Sequence, residues 1–183
     1  MKRLFDFTLA SLGLFISAPF LVICAFLIRF ETPGPAIFRQ TRVGIREERF
    51  TCFKLRTMYI STNDAPSHRV STSAITRMGK WLRRLKIDEL PQLWNVIRGD
   101  MSFIGPRPCL PSQTDLIAAR RVLGLYTIRP GISGVSQIAG VDMSDPERLS
   151  QLDATYLRNM SLRADVRMIV RTFLGAGRGD RVL

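Results

Sequence analysis

The stretch FTLASLGLFISAPFLVICAFLI, residues 7–28, runs for 22 residues without a charge. As a straight helix it would reach about 33 Å, one hydrocarbon thickness of a bilayer. It is apolar on every side, whereas the surface helix of a small soluble domain keeps a polar face. A secretory signal has a shorter apolar run and a small-residue cleavage site, and no A-x-A-like site ends this one. The stretch is therefore expected to enter a membrane. Pro19 lies just past its middle, where proline removes a backbone hydrogen bond and kinks a helix. The hydroxyl of Ser17 can return to a freed carbonyl, as lipid demands of interrupted backbone. Lys2 and Arg3 precede the run; Arg29, Arg39 and Arg42 follow it. A simple span concentrates its cations on the cytoplasmic side. Cations on both flanks fit a helix that breaks at Ser17 and Pro19, dips into the bilayer and returns to the same face. A plain span is the other reading.

Beyond residue 30 the chain is strongly basic. Its 183 residues carry 27 Lys and Arg against 15 acids, a net charge of +12. Such an excess calls for a polyanionic partner: nucleic acid, anionic headgroups or phosphorylated substrates. The three cysteines, Cys24, Cys52 and Cys109, have no C-x-x-C spacing. They point to a reducing compartment without a disulfide framework or zinc site. His68 is the sole histidine, which argues against Ser-His or Cys-His nucleophile systems and multi-His metal sites. Chemistry must then rest on carboxylates, lysines, arginines and backbone.

Against that basic background stands KIDELPQ, residues 86–92. Asp88 and Glu89 follow an eleven-residue run, TRMGKWLRRLK, with five cations and no acid. Leu90, Leu93, Trp94 and Ile97 repeat at helical spacing, so Asp88 is expected to cap that helix, with Pro91 in its first turn. A cap and a dipole-favoured acid would explain the pair structurally. Functionally, adjacent carboxylates are hard oxygen ligands for Mg²⁺ bridging phosphates. An ionised Asp beside a metal-bound phosphate can also attack phosphorus. In GPRP, 105–108, two prolines either stiffen a loop around a solvated Arg107 or hold it for bidentate phosphate contact. Lys54 and Arg56 end a strand and either meet phosphate or solvent.

The remaining chain reads as mixed α/β, mainly helical. AIFRQTRV and RFTCFKLR flank GIREE as a small β-hairpin. Residues 59–73 are polar and aperiodic, as in a loop. Ile75, Met78, Leu82 and Leu85 mark a basic amphipathic helix bordered by Trp81, suited to lying at headgroup level. A helix is expected over 111–123, another from DPER at 145–148, and a basic amphipathic helix near the end. RGDMSFIGPRP, 98–108, and RPGISG, 129–134, read as loops. The division expected is a re-entrant membrane helix over 1–30 and a catalytic domain over 31–183.

The run ITRMGKWLRRLKIDELPQLWNVIRGDMSFIGPRP resembles the signature of the bacterial sugar transferase family, the monotopic phosphoglycosyl transferases. GPAIFRQTRVG, FKLRTM and RPGISGVSQIAG match as well, in the family's order, so the likeness covers nearly the whole chain. It implies the minimal form of the family, without an added N-terminal transmembrane domain. It implies transfer of sugar 1-phosphate from a UDP-sugar donor to polyprenyl phosphate, with UMP released. Carried over, Asp88 resembles the nucleophile of a covalent intermediate and Glu89 the Mg²⁺ ligand. Arg107, with Pro106 and Pro108, resembles the nucleotide-site motif, and Ser17 and Pro19 the break in the re-entrant helix. Lys54, Arg83, Arg129 and Asp165 match polar site positions. The resemblance further implies membrane lipids as partners, no nucleic acid, and the cytoplasmic face of a bacterial inner membrane. It leaves a homo-oligomer open. Two departures, Val141 after Gly140 and STSA at 71–74, bear on the donor more than on the reaction. The rival class, a non-catalytic membrane-surface or nucleic-acid-binding protein, accounts for the charge but not for the ordered motifs.

Overall fold

The computed structural model describes residues 1–60 and 72–175. Most of the polar stretch 59–73, with His68, lies outside them. The first element, α1 (Lys2–Glu31), is one continuous helix through Pro19, which corrects the expected break at Ser17 and Pro19: the backbone stays helical across both. Asp6, Ala10, Cys24 and Ile28 are buried along one stripe, while Phe15, Ile16, Val22, Phe26 and Phe30 on the other faces are exposed. Little of its apolar length is covered by protein. It is the one helix among the described residues long and apolar enough to cross a membrane. The Ser17 hydroxyl donates to the carbonyl of Gly13 at 2.7 Å. It does not serve Phe15, the carbonyl four residues before Pro19, as the sequence had suggested.

The ends of α1 are fixed to the body that follows. Near the start, Lys2 Nζ reaches Asp165 at 2.7 Å and Ser102 Oγ donates to buried Asp6 at 2.8 Å. Arg3 donates to the carbonyls of Val96 and Ile97. At the far end, Arg56 donates to the carbonyls of Thr32 at 2.8 Å and Pro33 at 2.6 Å. Glu31 accepts from the backbone N–H of Arg77 and Met78.

The hairpin forms as read. β1 (Ile37–Val43) and β2 (Arg49–Leu55) pair antiparallel from Ile37↔Leu55 to Val43↔Arg49. α2 (Arg77–Arg84) is capped by Thr76, whose side chain accepts from Gly79 N. Leu82 is fully buried, but Leu85 and Trp81 are exposed. α3 (Gln92–Arg98) has no side-chain cap. Asp88 sits instead in a 3₁₀ turn, Ile87–Glu89, entered through Lys86 at φ +57°. The expectation that Asp88 caps this helix is thus corrected: the turn runs directly into Pro91, and the carboxylate is left to face elsewhere.

Both Gly/Pro loops conceal strands. β3 (Ser102–Ile104) pairs parallel with β4 (Gly131–Ser133). α4 (Thr114–Val122), α5 (Val135–Ile138), α6 (Pro146–Arg158) and α7 (Leu162–Phe173) complete the chain. Asp145 caps α6 and Ser161 caps α7 through their side chains. Ala10 of α1 packs on Cys52, Leu93, Val96 and Met101, while Cys24 and Ile28 pack on Ala36, Leu55 and Leu82. All three cysteines are free and buried.

β4 and the end of β3 approach closely because Gly131 and Gly105, just past β3, have no Cβ. An ideal Cβ on Gly131 would lie 2.2 Å from Gly105 N and 2.4 Å from Ser133 O, both backbone atoms that cannot give way. Gly131→Ala is expected to lower Tm by about 5–10 °C. Gly124→Ala, where φ is +68° but no atom lies within 4 Å, should cost only about 1 kcal/mol. Thermal melts of the two variants in one detergent check the contrast.

Candidate active site

Between α1 and the body lies a cavity of about 660 Å³. Leu9, Gly13 and Ile16 of α1, with Leu90, Leu93 and Ile169, form an apolar side. Lys54, Arg83, Asp88, Glu89 and Arg107 form a charged side. Five residues picked from sequence therefore meet in one place, although they span residues 54 to 107.

Local structure explains the convergence. Asn95, fully buried in α3, accepts from Phe53 N at 3.1 Å and donates to Thr51 O at 2.7 Å. This knits β2 to α3 and sets Lys54 beside the turn that carries Glu89. Lys54 Nζ and Arg107 Nη2 both reach Glu89 Oε1, at 3.0 and 3.3 Å. Glu89 is 16% exposed, so this is a half-buried pair with more weight than a surface bridge.

The two acids are driven in opposite directions. Burial, and then the charge of Glu89, push Asp88 up to about 6, with Lys54, Arg83 and Arg107 only partly offsetting them. Burial also opposes ionisation of Glu89, but Lys54 and Arg107 overcome it and hold the acid down at about 2. Pairs of carboxylates with separated pKa values mark acid–base and nucleophile assignments.

Other candidates lie elsewhere. Pro106 and Pro108 are not in the cavity wall; they flank Arg107, and their carbonyls accept from Gly131 N at 2.9 Å and Arg42 Nη1 at 3.0 Å. Arg129 donates to Gly99 O at 2.7 Å and lines a smaller cavity of about 150 Å³ with Lys2 and Arg3. Asp165 is 1% exposed and takes Lys2 and the Tyr156 hydroxyl, at 2.7 and 2.6 Å. These two residues thus anchor the base of α1 and the end of α3. Ser17 and Pro19 lie on α1 outside the cavity wall. Sequence reasoning overlooked Ser133, Gln137 and Thr172, which line the cavity from β4, α5 and α7. The parallel β3–β4 pairing, which carries no short-range signal, brings Ser133 there, and its hydroxyl meets that of Thr172 at 2.7 Å.

Mg²⁺ is typically held by one or two carboxylates plus substrate phosphates and water. No group of three or more His, Cys, Asp or Glu side chains gathers among the described residues. The adjacent pair Asp88 and Glu89, with Glu89 kept ionised, supplies that smaller donor set.

The profile of the Bacterial sugar transferase family matches residues 1–178. The chain belongs to that family. Its relatives include a UDP-glucose:undecaprenyl-phosphate glucose-1-phosphate transferase of Caulobacter vibrioides, 39% identical over 93% of this chain and 67% of that protein. An undecaprenyl-phosphate glucose phosphotransferase of Komagataeibacter xylinus is also 39% identical, over 93% of this chain and 35% of its own length. The exopolysaccharide production protein ExoY of Rhizobium meliloti is 33% identical, over 93% and 83%. This sugar transferase chain thus spans about a third of the Komagataeibacter protein and two thirds of the Caulobacter one.

The opposed pKa shifts predict opposed stabilities. Asp88 binds its proton more tightly folded than unfolded, so its ionisation withholds stability as pH rises from about 4 to 6. Asp88→Asn should therefore raise Tm by a few degrees at pH 7.5, about 1–2 kcal/mol, a gain that shrinks below pH 6. Glu89 is lowered, so its contribution is present above its ordinary range and is lost as pH falls towards 2. At pH 7.5 Glu89→Gln should lower Tm, leaving Lys54 and Arg107 without their carboxylate. Melting curves at pH 7.5 and 5 read both signs.

Proposed function

We propose that the protein transfers a sugar 1-phosphate from a UDP-sugar to undecaprenyl phosphate at the cytoplasmic face of a bacterial inner membrane. The observation that carries this reading is the cavity itself, where a raised carboxylate beside three cations faces an apolar wall supplied by α1. The cations suit phosphate and the apolar wall suits a prenyl chain.

In the first step the Asp88 carboxylate attacks the sugar-bearing β-phosphorus of the donor. The bond to the bridging oxygen breaks and UMP departs with its electron pair, leaving a covalent aspartyl phosphosugar. In the second step a phosphate oxygen of the lipid attacks the same phosphorus. The acyl phosphate bond breaks, restoring the carboxylate and giving a prenyl diphosphate sugar. Lys54, Arg83 and Arg107 hold the donor phosphates and offset the charge that gathers on their oxygens. Glu89, with Asp88 beside it, would hold Mg²⁺, which when bound neutralises phosphate charge. The raised pKa makes the ionised Asp88 a stronger nucleophile in the first step and a poorer leaving group in the second, where the cations around the phosphates assist its departure.

In this reading α1 is a re-entrant helix and both its ends stay on the cytoplasmic side. Support comes from the polar contacts that bind each end to one body, Lys2 to Asp165 and Arg56 to the carbonyls after Glu31. A span of about 30 Å would have to break one set. Cysteines placed at residues 2 and 29 should therefore react with an impermeant reagent only from the cytoplasmic side. Labelling of either from outside would sink the topology.

The reaction is tested with donor carrying radioactive β-phosphate. The enzyme should take up label without lipid, and lose it when undecaprenyl phosphate is added. Asp88→Asn should take up none and turn over at least a thousandfold more slowly. The rate of labelling should fall about tenfold per pH unit below 6 as Asp88 protonates. Intersecting initial-rate lines without trapped label would overturn the covalent step.

A further inference from the structure

The segment Pro106–Cys109 is held by its carbonyls. Pro106 and Pro108 have no N–H to donate, and the backbone carbonyls of four successive residues each accept a hydrogen bond from a different partner. Gly131 N reaches Pro106 at 2.9 Å and Val43 N reaches Cys109 at 3.0 Å. The two between are taken by arginine side chains: Arg120 Nη1 reaches Arg107 O at 2.7 Å, and Arg42 Nη1 reaches Pro108 O at 3.0 Å.

Each of these arginines is itself oriented. Gln40 and Arg42 sit two apart on β1, on one face of the strand. The Gln40 side-chain oxygen accepts from Arg42 Nε at 2.8 Å and also from Nη2. Arg120, 2% exposed, pairs with Asp153 at 3.0 Å, and Ser136 donates to the other Asp153 oxygen at 2.7 Å. A buried pair of this kind is weak evidence for stability as such, because desolvation offsets the attraction. A planar guanidinium, however, fixes direction as well as distance.

We infer that Arg42 and Arg120 are positioning residues for Arg107: two oriented guanidiniums clamp the successive carbonyls of Arg107 and Pro108, so that the Arg107 side chain meets the donor phosphates at a set place. Neither clamp residue lines the cavity, so both act through Arg107. The inference rests on Arg107 contacting the donor, as proposed above. The prolines fit it, since a segment without their N–H groups offers the clamp acceptors only.

Arg42 is the cleaner probe, being half-buried where Arg120 is enclosed with Asp153. Arg42→Ala should raise the KM for UDP-sugar and lower kcat/KM for it about 10- to 100-fold, as misplacement of a positioned group does. The KM for undecaprenyl phosphate should stay within about twofold. Arg42→Lys, which keeps a donor but not the fork, should recover part of the loss. In an Arg107→Ala background, Arg42→Ala should cost less than about threefold more, because the group it positions is gone. Where turnover of the double variant is too slow to follow, the rise in Tm on adding UMP serves instead. It should be smaller in Arg42→Ala than in wild type, and equal in Arg107→Ala with and without Arg42→Ala. A full, multiplicative loss in the Arg107→Ala background overturns the clamp, as does an unchanged donor KM in Arg42→Ala. Wild-type protein with neither turnover nor a UMP-induced shift would instead overturn the transferase reading on which the clamp depends.

Discussion

One carboxylate oxygen, Glu89 Oε1, is shared by Lys54 and Arg107. Through it the hairpin, the turn after α2 and the proline-flanked loop after β3 meet at a point. Each has its own reason to be there. Asn95 sews β2 to α3, Lys86 at positive φ turns the chain sharply into Ile87–Glu89, and the close approach of Gly105 and Gly131 brings the loop in. The shared oxygen joins these supports electrostatically, and the cavity wall follows from it.

The same contact divides labour between neighbours. Lys54 and Arg107 hold Glu89 ionised, while burial and then the charge of Glu89 raise Asp88 more than the same cations lower it. A group so placed costs stability, which proteins tolerate where chemistry needs it. The fold around it is correspondingly over-determined, with buried ion pairs and capped helices on several sides.

Much of this was legible in the sequence, and the rest fails for identifiable reasons. The apolar run, the hairpin and the helices after Asp145 and Ser161 carry strong periodic or capping signals. Asp88 and Glu89 stood out because their charge broke a basic run, Arg107 through its flanking prolines and Lys54 at the end of a strand, while Arg83 came in with the family's motif. The β3–β4 pair was invisible: three residues each, parallel, joined across 26 intervening positions. With it went Ser133, Gln137 and Thr172. The misplaced cap has a different origin. Asp before a helical apolar pattern is a sound signal, but here a left-handed Lys86 inserts a 3₁₀ turn, which no short-range pattern in the sequence announces. Asp165 and Arg129 were drawn to the site by motif alone, whereas their partners hold α1 and the end of α3.

The anchorage of α1 has a consequence for how the chain is made. Lys2 finds its partner 163 residues later and Asp6 finds its own 96 residues later. A ribosome adding about 5–20 residues per second takes on the order of ten seconds to supply Asp165. Throughout that interval α1 is an apolar helix whose polar partners are not yet made. The stripe of Ala10, Cys24 and Ile28 likewise waits for the residues that bury it. The contacts that fix the two ends of α1 therefore close among the last in the chain's history, although the helix itself is made first.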